Sequence, residues 1–170
     1  MKRPILLTLL LSSVLFAHPQ DKPYDRPFSI YLGYNKSSSS NTVKLKFEPT
    51  YRVHLCLTVG GYVGFESFQP GLSIFSYKYG ASLGFHPLAL LFDDKKPRFD
   101  LFLKTRVGGL NYLKWLSLPK SHFFDYGISP VLQYYPFKHM GVFVEYSIPI
   151  QPYAPKDFLH NIMYGVVLKF

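Results

Sequence analysis

The chain has 170 residues, enough for one domain, with 14 Tyr and 16 Phe but a single Trp and a single Cys. Its length argues against a second domain, and the lone Cys56 excludes an internal disulfide framework and any multi-cysteine metal site. The formal net charge is +9, yet the bases are spread singly through alternating segments and form no stripe or helix, which argues against nucleic acid as a partner.

Residues 1–17 read as a signal peptide. Lys2 and Arg3 give a positive start, Ile5 to Phe16 is apolar apart from Thr8, Ser12 and Ser13, and Ala17 is a small residue before the expected cleavage. The run is too short to cross a bilayer as a helix, which takes roughly 20 apolar residues. Removing Lys2 and Arg3 leaves 17 basic and 10 acidic side chains, a net charge of +7, which favours anionic partners only weakly. Cys56 lies far from the cleavage site, against a lipid anchor. Residues 18–27, rich in proline and charge, read as a flexible lead-in.

From Phe28 onward the dominant period is two, the signature of strands with unlike faces. In Val43 to Val53 the apolar set Val43, Leu45, Phe47, Pro49, Tyr51 and Val53 alternates with Lys44, Lys46, Glu48, Thr50 and Arg52. A helix would mix the two sets around its circumference. The same alternation occurs in Phe28 to Asn35, Leu57 to Glu66, Tyr77 to His86, Arg98 to Gly109, Phe124 to Tyr135, Gly141 to Ile148 and Asn161 to Phe170. Eight strands are predicted. No charge falls on the apolar face of these segments, and a charge turned to lipid near the midplane costs about 2–4 kcal/mol.

The polar face also collects small residues. By phase it carries Gly33, Gly60, Gly64, Gly80, Gly84, Gly108, Gly127, Gly141 and Gly165, nine of the twelve glycines, as the narrow interior of an eight-stranded barrel requires. The connections alternate in length. Lys36 to Asn41, Ser67 to Ser76, Leu110 to Phe123 and Pro149 to His160 read as outer loops, while Val53 to Cys56 and Pro136 to Met140 read as tight turns. Pro87 to Pro97, with Asp93, Asp94, Lys95 and Lys96, is longer than a turn on that side needs. Pro149 is expected in a loop, where it interrupts no ladder.

The last segment, Met163-Tyr164-Gly165-Val166-Val167-Leu168-Lys169-Phe170, ends on an aromatic with hydrophobics at alternate positions. It resembles the C-terminal signal of bacterial outer-membrane barrels, which implies that Gly165, Leu168 and Phe170 are read by the barrel-assembly machinery. With Phe47-Glu48-Pro49, Tyr51-Arg52-Val53 and Leu57 to Phe65, the mature chain resembles the small porin-like or OmpA/OmpX-like barrel proteins over essentially its whole length. The resemblance implies an all-β, eight-stranded antiparallel up-and-down transmembrane β-barrel, monomeric, in the bacterial outer membrane among lipid and lipopolysaccharide. It implies no cofactor and no particular activity. A soluble lipocalin-like barrel is the rival, with the same alternation and reversed faces.

With the faces assigned, the interior receives Lys44, Lys46, Arg52, Lys78, Lys104, Arg106 and Lys169 against Glu48, Glu66, Asp100, Asp125 and Glu145. These are expected to neutralise one another and close the lumen, because an unpaired buried charge is costly. A small pore is the competing reading. An enzyme acting on membrane lipid is another, but the histidines assemble no motif: His86 shares the inner face with Ser82, His54 and His139 fall in turns, and His122 and His160 fall near loops. Tyr112, Lys114 and Trp115 form an aromatic and basic mixture in the Leu110 to Phe123 link, a candidate contact with lipopolysaccharide or another surface.

Overall fold

A computed structural model describes residues 27–37, 42–68, 73–91, 98–113, 122–150 and 161–170. The expected signal peptide, 1–17, and most of the expected lead-in, 18–27, lie outside these residues. Eight strands follow in order: β1 (Phe28–Ser37), β2 (Thr42–His54), β3 (Leu57–Phe68), β4 (Ser73–Phe85), β5 (Phe99–Tyr112), β6 (His122–Tyr134), β7 (Met140–Pro149) and β8 (Asn161–Lys169). Each pairs antiparallel with the next, and β1 pairs with β8, so the sheet closes into a barrel with no free edge. The strand bounds lie within a few residues of those read from the alternation.

The start of β1 and the residue after β8 meet at one rim, where the Phe170 backbone N–H donates to the Phe28 carbonyl at 2.9 Å and their rings lie 6.1 Å apart. The β2–β3 turn, the β4–β5 link and the β6–β7 link share this rim, which we call the terminal end. The four other links leave from the opposite, far end. Between β4 and β5 the chain forms a short helix, α1 (Pro87–Leu91), with proline at its first position, where its missing N–H costs nothing. The expected long link therefore opens with a helical turn that buries Ala89; Asp93 to Lys96 lie outside the described residues.

The outward face carries the apolar set. Leu45, Phe47, Val59, Val63, Leu83, Leu101, Leu103, Val107, Leu132, Val142 and Val144 are all exposed. Outward rings include Phe28, Tyr51, Phe85 and Phe170 toward the terminal end and Phe124 toward the far end, with Phe47, Phe65 and Tyr79 nearer mid-strand. Among the described strand residues one Lys, Arg, Asp or Glu points outward by phase: Lys36, one residue from the far end of β1. The faces are thus the reverse of a soluble ligand-binding barrel.

Pairs of glycine meet across two ladders, Gly80 opposite Gly108 and Gly33 opposite Gly165. A Cβ on Gly108 would run into the Tyr79 carbonyl, and one on Gly165 into the Leu32 carbonyl, so these positions let the backbones approach. Proline enters the strands as well. The β2–β3 ladder skips Glu48 and Pro49, and the β6–β7 ladder skips Ser129 and Pro130, as expected where an N–H is missing. Pro149, expected in a loop, instead pairs with Gly127 as the last residue of β7.

Candidate functional site

The inward residues of the eight strands form three layers. Nearest the far end, Lys44 of β2 and Lys78 of β4 flank Glu66 of β3 at 3.2 Å and 3.5 Å. At mid-height, Lys104 of β5 donates to Glu48 Oε2 at 2.7 Å and to Glu145 Oε2 at 2.6 Å. Lys46 pairs with the same two carboxylates, at 3.0 Å to Glu48. The hydroxyl of Ser82 donates to the other oxygen of Glu48 at 2.6 Å. Beside them, Arg106 lies 3.5 Å from Asp125 and 3.9 Å from Glu145, and Tyr62 donates to Asp125 at 2.9 Å. Two bases shared between two acids, each acid further hydrogen-bonded, is the arrangement that offsets the desolvation of buried charge.

The third layer differs from the expectation of a uniformly charged interior. Toward the terminal end the lumen is filled by Tyr31, Phe102, Val131, Tyr135, Phe143 and Val167, all buried and in one cluster, with Met163 packed against it. The Tyr31 and Phe143 rings meet edge to face at 5.3 Å. Gln133 ties the two tyrosines together, its Oε1 accepting from Tyr31 at 2.9 Å and from Tyr135 at 2.8 Å. These apolar residues escape attention in the sequence because they interrupt the polar phase singly. The phase itself reveals them, since Phe143 falls between Gly141 and Glu145, and Tyr31 between Ser29 and Gly33.

Below this layer Asp100 meets neither lysine nor arginine within ion-pair distance among the described residues. Its Oδ2 instead accepts from Gln133 at 3.0 Å and contacts His86 Nδ1 at 2.7 Å, while His86 Nε2 lies 3.0 Å from the Thr58 hydroxyl. His86 stacks on Phe102 at 4.1 Å, and Arg52 turns to the Leu55 carbonyl in the adjacent turn. Hydroxyl, imidazole and carboxylate stand in the order used by nucleophilic hydrolases. However, His86 is 0% exposed and none of the three lines the lumen cavity, so no substrate space adjoins them there. Lys169 places its ammonium 3.9 Å from the centre of the Tyr135 ring, a buried cation over an aromatic face.

The remaining expected residues fall apart from this core. Gly165 and Leu168 lie on β8, and Phe170 follows it with its ring exposed at the terminal rim. Tyr112, expected in a loop, belongs to β5 and is buried, its ring edge to face with Phe123 at 5.7 Å. It is therefore placed to support the far rim, not to present a free surface. Lys114 and Trp115 lie outside the described residues. Among the described residues no group of three or more His, Cys, Asp or Glu is placed to hold a metal ion.

No family model matches the sequence, and no curated protein matches it. Solved structures do. A de novo designed transmembrane β-barrel superposes with a TM-score of 0.58 at 13% identity, covering 90% of this chain and all of that one. Neisserial surface protein A superposes with a TM-score of 0.51 at 16% identity, covering 84% of this chain and 94% of that one. The fold is that of a transmembrane β-barrel. At these identities the likeness concerns architecture alone, and the OmpA/OmpX-like resemblance has no family match behind it.

Proposed function

We propose that the chain is an integral β-barrel protein of a bacterial outer membrane, exported through the cleaved segment 1–17, with a closed lumen and a structural or surface-interaction role without catalysis. The observation that carries this reading is the division of charge: among the described strand residues twelve Lys, Arg, Asp and Glu turn inward against one, Lys36, outward at a rim. Lipid is the solvent for which that division is favourable. Paired charges and the apolar cluster fill the interior, which favours a closed barrel over a pore. His86 and Asp100 are buried, and neither they nor the half-buried Thr58 line the lumen cavity, which favours a structural array over a lipid-modifying site. The far end then meets the exterior, lipopolysaccharide surrounds the barrel, and the C-terminal residues Gly165, Leu168 and Phe170 serve its assembly.

Conductance and lipid chemistry test the role. Purified protein in planar bilayers is expected to give no unitary current, and lipid A from expressing cells is expected to keep its mass. Steady openings would replace this reading with a pore, and an altered lipid mass with an enzyme. For the surface contact, Lys114→Ala with Trp115→Ala is expected to weaken binding of expressing cells to lipopolysaccharide while the folded barrel persists. Unchanged binding would remove those two residues from the account.

A further inference from the structure

The lumen is uneven along its axis. Its far half contains a cavity of about 60 Å³, room for several waters, each of which needs roughly 10–15 Å³ and two to four polar partners. Those partners are present: Glu48, Glu66, Lys104, Arg106, Glu145 and Ser147 all line it. Arg106 Nε has no hydrogen-bond partner among the described residues; its nearest carboxylate oxygen, on Asp125, is 3.5 Å away. A cavity lined by charges is wet, whereas one lined by apolar groups stays dry.

Toward the terminal end the chamber stops on the apolar layer. Val131 and Val167 are fully buried and Phe143 is 2% exposed; with Tyr31, Phe102 and Tyr135 they separate Glu145 above from Asp100 below, and the polar atoms of these six side chains are the two tyrosine hydroxyls, both bonded to Gln133. An ion crossing this layer would shed its hydration against aromatic and valine surface, where the two tyrosine hydroxyls already donate to Gln133. The ion pairs above impose no such loss, because they offer charged and hydroxyl groups to whatever enters.

We infer that the lumen is two compartments: a hydrated, charge-lined vestibule that admits water and small ions from the far end, and an aromatic and valine stopper that alone bars their passage. The inference rests on the membrane reading above and deepens it, moving the barrier from the charge network to the stopper. It also gives the charge network a different task, which is to hold strands β2 to β7 together around water.

Two measurements test it. In a Cys56→Ser background, Ser147→Cys places a thiol in the vestibule and Val131→Cys places one in the stopper. A small methanethiosulfonate reagent applied outside intact cells is expected to label Ser147→Cys. Val131→Cys is expected to react slower by at least about a hundredfold, since an apolar site excludes the reagent and suppresses the thiolate. Equal labelling, or none at Ser147→Cys, would overturn the two compartments. In planar bilayers, Phe102→Ala with Phe143→Ala is expected to open a conductance, while Lys104→Gln with Glu145→Gln stays silent. Current through the charge variant alone would also overturn the inference. If the stopper variant does not fold, labelling decides by itself. A protein that fails to reach the outer-membrane fraction contradicts the membrane reading instead, so the two failures are distinguishable.

Discussion

Lys104 is 4% exposed and held between Glu48 and Glu145, with Lys46 completing the square. Removing it alone leaves two buried carboxylates sharing one base. Lys104→Met is therefore expected to lower stability by about 3–5 kcal/mol, and adding Glu145→Leu to recover most of the loss, because the remaining Lys46 and Glu48 still balance. Urea unfolding in detergent micelles checks both variants, and a double variant as weak as the single one would contradict the pairing. At the terminal rim, burial pushes the His86 imidazole below its ordinary value, with the Asp100 carboxylate pulling the other way. The neutral ring is then the folded form, so its contribution is present above about pH 6.5 and lost as pH falls through the lower folded value. The unfolding midpoint is expected to drop on acidification, and to drop less in His86→Asn; equal drops would remove His86 as the cause. At this scale the sequence shows which side chains turn inward, because alternation decides it. It does not show partners, since Lys104 and Glu48 stand 56 residues apart and meet only through strand stagger.

The strands themselves were legible to within a few residues, because each must bury one face in the lumen and offer the other to an apolar solvent. Outward charge is the corresponding test. Val63→Arg, at mid-strand in β3, is expected to cost about 2–4 kcal/mol in refolding from urea into lipid, whereas the same change near a rim, at Tyr51, is expected to cost roughly 0–1 kcal/mol. Similar costs at both positions would mean that no hydrocarbon surrounds the barrel. What the alternation left hidden has local causes. Tyr112 reads as loop because turn-forming and basic residues follow it, yet the β5–β6 pairing extends to Asn111 and His122. The helical turn α1 is too short to show a period. Pro49 and Pro130 keep the outward phase although each interrupts a ladder, so phase alone gives no warning of the gaps.

Across the whole molecule, closure and face assignment are one property. Eight strands with apolar residues outside and charges inside make sense only if lipid surrounds them, and the narrow interior follows from the strand number. The charged half of that interior was legible; the apolar stopper was not, because one aromatic per strand leaves the polar alternation intact. The most direct measurement is gel mobility of the mature protein, purified in detergent and loaded with and without boiling, beside fractionation of the membranes. A compact, faster band without boiling, from the outer-membrane fraction, is the predicted result. A soluble protein whose mobility ignores heating would contradict the account.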